Sequence, residues 1–229
     1  MIKRRALLAL AITTTGAAFL RMGNAFAQRP ARPQRPVPAG PPPVRVTREE
    51  PVVVREEFDP RRPPPDMPAL TPPEAGVCRT TFGLDANVNF SAETLSPTTA
   101  RIYVDELDIT IRARFDIYTA VKSPDDLRAH EEGHRAIGEH YYEGAAAIAE
   151  EIGRRLIGTS YHGLGANIEA AQRNAFDKVI AEIDRAYMAR VRTPAAAANE
   201  RFDEITNHGL NPIDATEAVA LAIAGDSAP

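Results

Sequence analysis

The segment ITIRARFDIYTAVKSPDDLRAHEEGH, residues 109 to 134, contains a change of hydrophobic period that decides the fold. From Ile109 to Val121 every second residue is apolar or small, while the residues between them include arginine and aspartate. Period two is typical of a strand with one buried face. After Val121 the apolar residues recur every three or four positions, which is typical of a helix. The segment therefore predicts a strand that leads directly into a long helix.

The predicted helix has a clear start. Ser123 is expected to be its N-cap and Pro124 its first helical residue, and Asp126 suits the positive end of the helix dipole. Apolar residues and two histidines then share one inward face of a continuous helix. The residues of this face are Leu127, His130, His134, Ile137, Tyr141, Ala145, Ile148 and Ile152.

The remaining patterns place strands before this helix and helices after it. Val88–Phe90 and Arg101–Val104 are weaker strand candidates, and two further helices are predicted over about 167–191 and 193–207. Gly209 is expected to cap the last of them. We therefore predict an α+β domain over residues 77–224, with N-terminal antiparallel strands, the long helix, two further helices and a flexible tail at 225–229.

The N-terminus reads as an export signal over residues 1–27. Lys3, Arg4 and Arg5 precede an apolar run, and cleavage is expected after Ala27. The run is too short for a stable membrane span, which usually needs about 20 residues. Because the paired arginines also resemble a twin-arginine signal, both export routes stay open. The mature protein is expected in the periplasm or outside the cell.

A Pro/Arg-rich segment follows the signal. Fifteen of the chain's 20 prolines lie between Pro30 and Pro73. Proline removes backbone donors and favours extended polyproline II, so residues 28–76 are predicted to form a disordered spacer. Within it, Val52–Val54 has the composition of a brief strand. Deleting the spacer is expected to leave the stability of the domain unchanged.

Charge and cysteine content exclude some functions. Loss of residues 1–27 removes four of the 27 basic residues and none of the 31 acidic ones, so the formal charge moves from −4 to −8. An acidic protein repels phosphate backbones, which argues against a nucleic-acid partner. Cys78 is the only cysteine, so the chain forms no intramolecular disulfide.

The motif His130-Glu131-Glu132-Gly133-His134 lies within the predicted long helix. Imidazoles four residues apart project from the same helix face and can bind one Zn²⁺ ion. Glu131 lies beside such an ion without being a ligand, where it can take a proton from a water molecule. The pattern predicts metal binding by His130 and His134 and general-base catalysis by Glu131.

The third ligand has three candidates. His208 is favoured because Phe202, Ile205 and His208 recur every three residues on one face of the last predicted helix. Asp203 is either a ligand or an acceptor that orients an imidazole. His140 lies six residues after His134, but a continuous helix turns it about 100° away from the two histidines.

These features resemble a bacterial domain-of-unknown-function family of predicted secreted zinc-dependent proteases. The resemblance covers residues 77–211 and rests on the histidine motif, the alternating strand and a terminal segment. It implies a zincin-like fold and a role for His208 at the metal, whereas Phe202 replaces the tyrosine expected there. The terminal segment contains Phe202, Asp203, Thr206, His208 and Gly209.

Two functions fit the sequence. The first is an exported zinc metallopeptidase that hydrolyses a peptide or protein substrate of the cell envelope. The second is a non-catalytic envelope scaffold or binding module with a structural zinc. A closed structural site has four protein ligands and needs no carboxylate beside the first histidine, so Glu131 favours the enzyme. Tyr161 and His162, in a predicted loop, are minor candidates for stabilising an oxyanion.

Overall fold

The structure is a computed structural model that describes residues 43–70 and 74–225. The predicted signal peptide, residues 28–42 and 71–73 of the predicted spacer, and residues 226–229 lie outside the described part. Among the described residues, no helix is both long enough and apolar enough to cross a membrane.

A long strand, β4 (Thr99–Ala120), forms the centre of the sheet. It pairs antiparallel with β3 (Gly76–Ser96) over almost its whole length. The alternation is confirmed, because the apolar side chains at odd positions from Ile109 to Ile117 are all buried. The weaker strand candidates are confirmed as parts of β3 and β4.

Three short strands share the other edge of β4. These are β1 (Val44–Arg48), β2 (Val52–Phe58) and β5 (Ser160–Leu164). Since β3 occupies one edge throughout, the three pair end to end along the opposite edge. β1 and β2 run parallel to β4, and β5 runs antiparallel. The chain is a mixture of α and β structure with a mixed sheet, so the expectation of antiparallel N-terminal strands does not describe β1 and β2.

The spacer prediction is wrong for residues 44–58. Val44 is 5% exposed and packs against Gly153, and Phe58 is buried beside Tyr118. The hydrogen-bonding partner of these strands, β4, lies far away in sequence, so the short valine runs gave little sign of pairing. Pro43 and Pro51 stand just before the strands, where proline interrupts no ladder hydrogen bond.

Residues 59–70 also pack on the domain instead of forming a spacer. Met67 and Leu70 lie against the cluster of Phe58 and Tyr118. The guanidinium of Arg79 donates to the carbonyl of Asp66 at 2.6 Å, which ties this segment to β3.

The described part of the chain after β4 contains four α-helices. Helix α1 carries the histidine motif and is confirmed as one continuous helix, although its N-cap is Pro124 without a side-chain cap bond. A five-residue π-helical turn joins α2 to α3, so the backbone stays helical between them. The bounds are α1 (Asp125–Leu156), α2 (Ile168–Tyr187), the π turn (Met188–Arg192), α3 (Thr193–Thr206) and α4 (Ala215–Ala224).

The helices contribute to two apolar clusters of buried residues. Most of α1 and α2 packs with the inward residues of β4, including Phe115 and Ile111. A second cluster joins α1 to α3 and α4 through Ile137, Phe202 and Ala218. Helix α4 was not predicted, and it packs against both α1 and α3. Docking of α3 on α1 brings residues near 130 and 203 together.

Truncation tests the role of the two parallel strands. We expect a chain that begins at Pro43 to melt at the same temperature as one that begins at Gln28, because it contains every described element. A chain that begins at Asp59 lacks β1 and β2 and should lose more than about 5 kcal/mol, the scale of a whole domain's stability. Thermal unfolding followed by circular dichroism measures both. A cooperative transition in the chain beginning at Asp59 would contradict this role for the strands.

Candidate metal centre

Three side chains of α1 and α3 meet at the N-terminal half of α1. The Nε2 atoms of His130 and His134 are 3.2 Å apart. Oδ1 of Asp203 lies 3.3 Å from Nε2 of His130 and 3.1 Å from Nε2 of His134. These residues form a group whose ligand atoms could hold a metal ion. Asp203, the second choice of the sequence analysis, is the third member of this group.

The spacing of the three atoms matches tetrahedral zinc. Bonds of about 2.0–2.1 Å at tetrahedral angles put neighbouring ligand atoms about 3.3 Å apart. The three observed separations, 3.1 to 3.3 Å, are close to this value. Two imidazoles and one carboxylate are also a donor set that zinc accepts. The residues present therefore fit a zinc ion, with one coordination position left for water or substrate.

Asn199 orients His134. Its Oδ1 lies 2.7 Å from Nδ1 of His134, while its Nδ2 donates to the carbonyl of Ala195 at 2.7 Å. The second bond fixes the amide so that Oδ1, an acceptor, faces the imidazole. Nδ1 must then carry the proton, and Nε2 of the neutral ring presents its lone pair to the site.

Thr206 orients His130 in the same way. Its hydroxyl donates to the carbonyl of Phe202 at 2.7 Å, so its oxygen is free to accept from Nδ1 of His130 at 3.3 Å. The ring of Phe202 stacks on His130, with centroids 4.9 Å apart. Phe202 is fully buried. It is therefore a packing residue that supports the imidazole.

The electrostatics of the trio favour a cation. Burial alone would raise the pKa of Asp203, but hydrogen bonds with His130 and His134 hold it well below its usual range. Burial alone would lower the pKa of His134, but the hydrogen bond and charge of Asp203 raise it, helped by the bond to Asn199. A positive charge between the imidazoles and the carboxylate is thus stabilised, and a divalent ion meets the same requirement.

Glu131 is buried beside the trio and is 3% exposed. It accepts a hydrogen bond from the backbone of Cys78, but its Oε2 has no partner among the described residues. Burial raises the pKa of Glu131 to about 7, against the opposing charge of His134. An ideal Cβ on Gly76 would lie 2.7 Å from Oε1 of Glu131, so a side chain at residue 76 would force the carboxylate to move.

His208 lies next to the trio but outside it. Its Nδ1 is 3.7 Å from Oδ1 of Asp203 and 3.9 Å from Oε1 of Glu74, and its side chain is 54% exposed. Asn207 and His208 have φ values of 47° and 54°, in the left-handed region. Asn207, not the predicted Gly209, caps α3. At Gly209, φ is 78° and a Cβ would lie 3.2 Å from the ring of His130, so a side chain at this position would be strained and would press on His130.

The remaining candidates lie elsewhere. His140 is exposed on α1, as the continuous helix predicted. His162 belongs to β5 and pairs with Arg101, near the opposite end of β4 from the metal centre. Tyr161 bonds to Glu182 on α2. The suggestion that Tyr161 or His162 stabilises an oxyanion is therefore wrong.

Asn199 had no predicted role. It precedes Asp203 by four residues, so helical spacing puts both side chains on one face of α3. That spacing was the signal by which Asn199 could have been found.

The trio opens into a cavity of about 300 Å³. Besides the trio, its lining includes Leu127 and Glu131 of α1, Gly76, Val77, Cys78 and Thr80 of β3, and Glu74, Asn199 and His208. Comparisons with models of known families, with curated proteins and with solved structures found no match for this chain.

Gly133 lies at the contact between α1 and α3, the two helices that carry the site. A Cβ there would lie 2.3 Å from Cζ of Phe202. Gly133→Ala should therefore push α3 away from α1 and cost about 1–3 kcal/mol, the usual range for overpacking. Gly144→Ala on the same helix is the matched control, because nothing lies within 4 Å of its added methyl. The control should be neutral or stabilising by up to about 1 kcal/mol. Urea unfolding measures both, and equal effects would contradict the packing role.

Proposed function

We propose that this chain is an exported zinc-dependent metallopeptidase with a zincin-like fold. The observation that carries the proposal is the set of three acceptor atoms on His130, His134 and Asp203, all within 3.1 to 3.3 Å of one another. Asp203 takes the role of third ligand that sequence analysis gave to His208.

Each residue of the site has a separate role in the proposed hydrolysis. His130, His134 and Asp203 would hold the ion, and Asn199 and Thr206 keep the two imidazoles in the ligating tautomer. A zinc ion held there would supply a Lewis acid that polarises a carbonyl group and lowers the pKa of a water molecule towards neutrality. Glu131 accepts the proton of the attacking water at Oε2, the oxygen that has no other partner among the described residues. The same carboxyl group then returns the proton to the leaving amine.

The alternative is a scaffold with a structural zinc. Structural sites are closed by four protein ligands, whereas this group has three and faces a cavity. A buried carboxylate with an unsatisfied oxygen costs stability and has no use in a closed site. Both observations favour hydrolysis over a purely structural role.

The substrate class proposed is a peptide or protein of the cell envelope. The predicted mature chain has a formal charge of −8, which disfavours nucleic acid and mildly favours basic partners. An extracytoplasmic location follows from the predicted signal peptide, which lies outside the described residues.

A mixed peptide library tests the proposal without a guess at the substrate. The chain beginning at Gln28 would be purified, stripped with a chelator, reloaded with one equivalent of zinc and incubated with the library, and products would be read by mass spectrometry. We expect cleavage by the zinc-loaded protein and none by the stripped protein. If the loaded protein cleaves neither the library nor proteins of an envelope extract, the scaffold is the better reading.

A further inference from the structure

Glu74 lies at the metal centre but has no part in the proposed hydrolysis. It stands two residues before Gly76, the first residue of β3, and it lines the same cavity as the trio. Oε1 of Glu74 is 3.9 Å from Nδ1 of His208, which is itself 3.7 Å from Oδ1 of Asp203. The two carboxylate oxygens are therefore at most about 8 Å apart, a distance over which salt screens the interaction of charges only in part.

The charge of this cavity favours a cation. Three carboxylates line it, those of Glu74, Glu131 and Asp203, and none of the described residues in that lining is a lysine or an arginine. The two positive charges of a zinc ion would offset those of Asp203 and Glu131. Glu74 adds a third negative charge, and a cleft lined by one sign of charge attracts ligands of the opposite sign.

The cavity is also incomplete without a bound molecule. Glu131 is 3% exposed, and its Oε2 has no hydrogen-bond partner among the described residues although it faces the cavity. The side chain of Glu74 is 33% exposed, so a partner would meet it in a partly desolvated setting. A hydrogen bond between charged groups is stronger there than on an open surface.

We propose that Glu74 is a specificity-determining residue that binds a positively charged group of the peptide substrate close to the cleaved bond. This role rests on the proposed peptidase function and names its substrate class, a peptide with an ammonium or guanidinium group near that bond. A lysine or arginine side chain supplies such a group, and so does the free N-terminus of a peptide cut near its first residue. An extended peptide advances about 3.3 Å per residue, so a cation one or two residues from a bond held at the metal is within reach of Glu74.

The test uses one peptide that the zinc-loaded chain beginning at Gln28 cleaves, taken from the library screen. Lysine or norleucine, which is of similar length but uncharged, is placed at each of the two positions on either side of the bond. Every peptide is made with a free and with an acetylated N-terminus. Values of kcat/KM are compared for the parent, Glu74→Gln and Glu204→Gln. Glu204 is the control, because it is an exposed carboxylate next to Asp203 in sequence and is not among the described residues of the cavity lining.

We expect the parent to prefer a cationic peptide to its uncharged counterpart by about tenfold, the size expected of one hydrogen bond between charged groups. Glu74→Gln keeps the shape of the side chain and should remove most of this preference, while cleavage of the uncharged peptide stays the same. Glu204→Gln should keep the preference. Zinc content should be equal in all three proteins. A preference for lysine identifies a side chain as the cation, and a preference abolished by acetylation identifies the N-terminal amine.

Binding gives a second readout that needs no turnover. The zinc-loaded Glu131→Gln protein should bind the cationic peptide more tightly than the uncharged one by a similar factor. Adding Glu74→Gln to this protein should remove the difference. Fluorescence anisotropy of labelled peptides measures both affinities.

The outcomes separate the role of Glu74 from the function on which it rests. A zinc-loaded parent that cleaves nothing overturns both. A parent that cleaves without preference for a cation, or a Glu74→Gln protein that keeps the parent's preference, overturns the role of Glu74 and leaves the peptidase proposal standing. If Glu74→Gln does not fold, Glu74→Ser, whose smaller side chain fits the same space, decides the question.

Discussion

Replacing Glu131 with glutamine is expected to lower kcat by about a hundredfold or more and to leave zinc binding and stability nearly unchanged. Glutamine has the shape of glutamate but cannot accept the proton of the attacking water. The hydrogen bond from the backbone of Cys78 can still be accepted by the amide oxygen. Only the step that needs a general base is removed.

The matched control for this variant is Glu132→Gln. Glu132 lies one position along the helix but turns outward, where it accepts from Arg55 at 2.5 Å and Arg135 at 2.6 Å. Its loss removes two partly exposed ion pairs, each worth about 1 kcal/mol or less, and should leave kcat unchanged. Turnover of a peptide found in the library screen measures both. A Glu131→Gln protein that cleaves as fast as the parent would show that another group handles the proton.

Removal of Asp203 is expected to have the largest effect on the metal. Asp203→Ala deletes the only carboxylate of the trio and should weaken zinc binding by about a hundredfold or more. His208→Ala should change it far less, because Nδ1 of His208 lies outside the group of ligand atoms. The two variants distinguish the observed trio from the ligand set expected from sequence.

Zinc affinity would be measured by competition with a chromophoric chelator. His140→Ala is the control, because it removes an exposed histidine from the same helix as His130 and His134. It should bind zinc like the parent. If His208→Ala loses zinc while Asp203→Ala keeps it, His208 is the third ligand and Asp203 only orients an imidazole.

The strand and the helix that carry the site could be predicted from the sequence because each has a long, unbroken hydrophobic pattern. β4 alternates over residues 109–117, and α1 keeps an apolar face from Leu127 to Ile152. The spacing of His130 and His134 then fixed two members of the trio, because helical geometry alone puts them together.

The third member could not be fixed in this way. Placing His208 at the metal assumed that the helix through Phe202 and Ile205 continues to residue 208. The helix ends at Thr206, and two left-handed residues turn the chain away from its axis. Asp203, which lies within the helix, points to the site instead. Local spacing predicts side-chain direction only while the backbone stays regular.

The parallel strands were missed for a different reason. A strand as short as β1 is stabilised mainly by pairing with its partner strand, and its own sequence gives a weak signal. The partner lies far away in sequence, because Arg45 pairs with Asp108, 63 residues away. The high proline content of the region favoured the prediction of a spacer over the strand signal of the short valine runs. Pairing at such distance depends on the whole fold, which a window of ten residues does not contain.

The separation of partners along the chain has a consequence for folding kinetics. His134 and Asn199 are 65 residues apart, and His130 and Thr206 are 76 residues apart. Chains dominated by such contacts fold slowly, in milliseconds to seconds, because the entropy of closing a long loop is lost before the stabilising contacts form. The metal centre forms only after α3, near the end of the chain, has docked on α1. If the proposed zinc ion binds only after this docking, its stabilisation should slow unfolding more than it speeds folding.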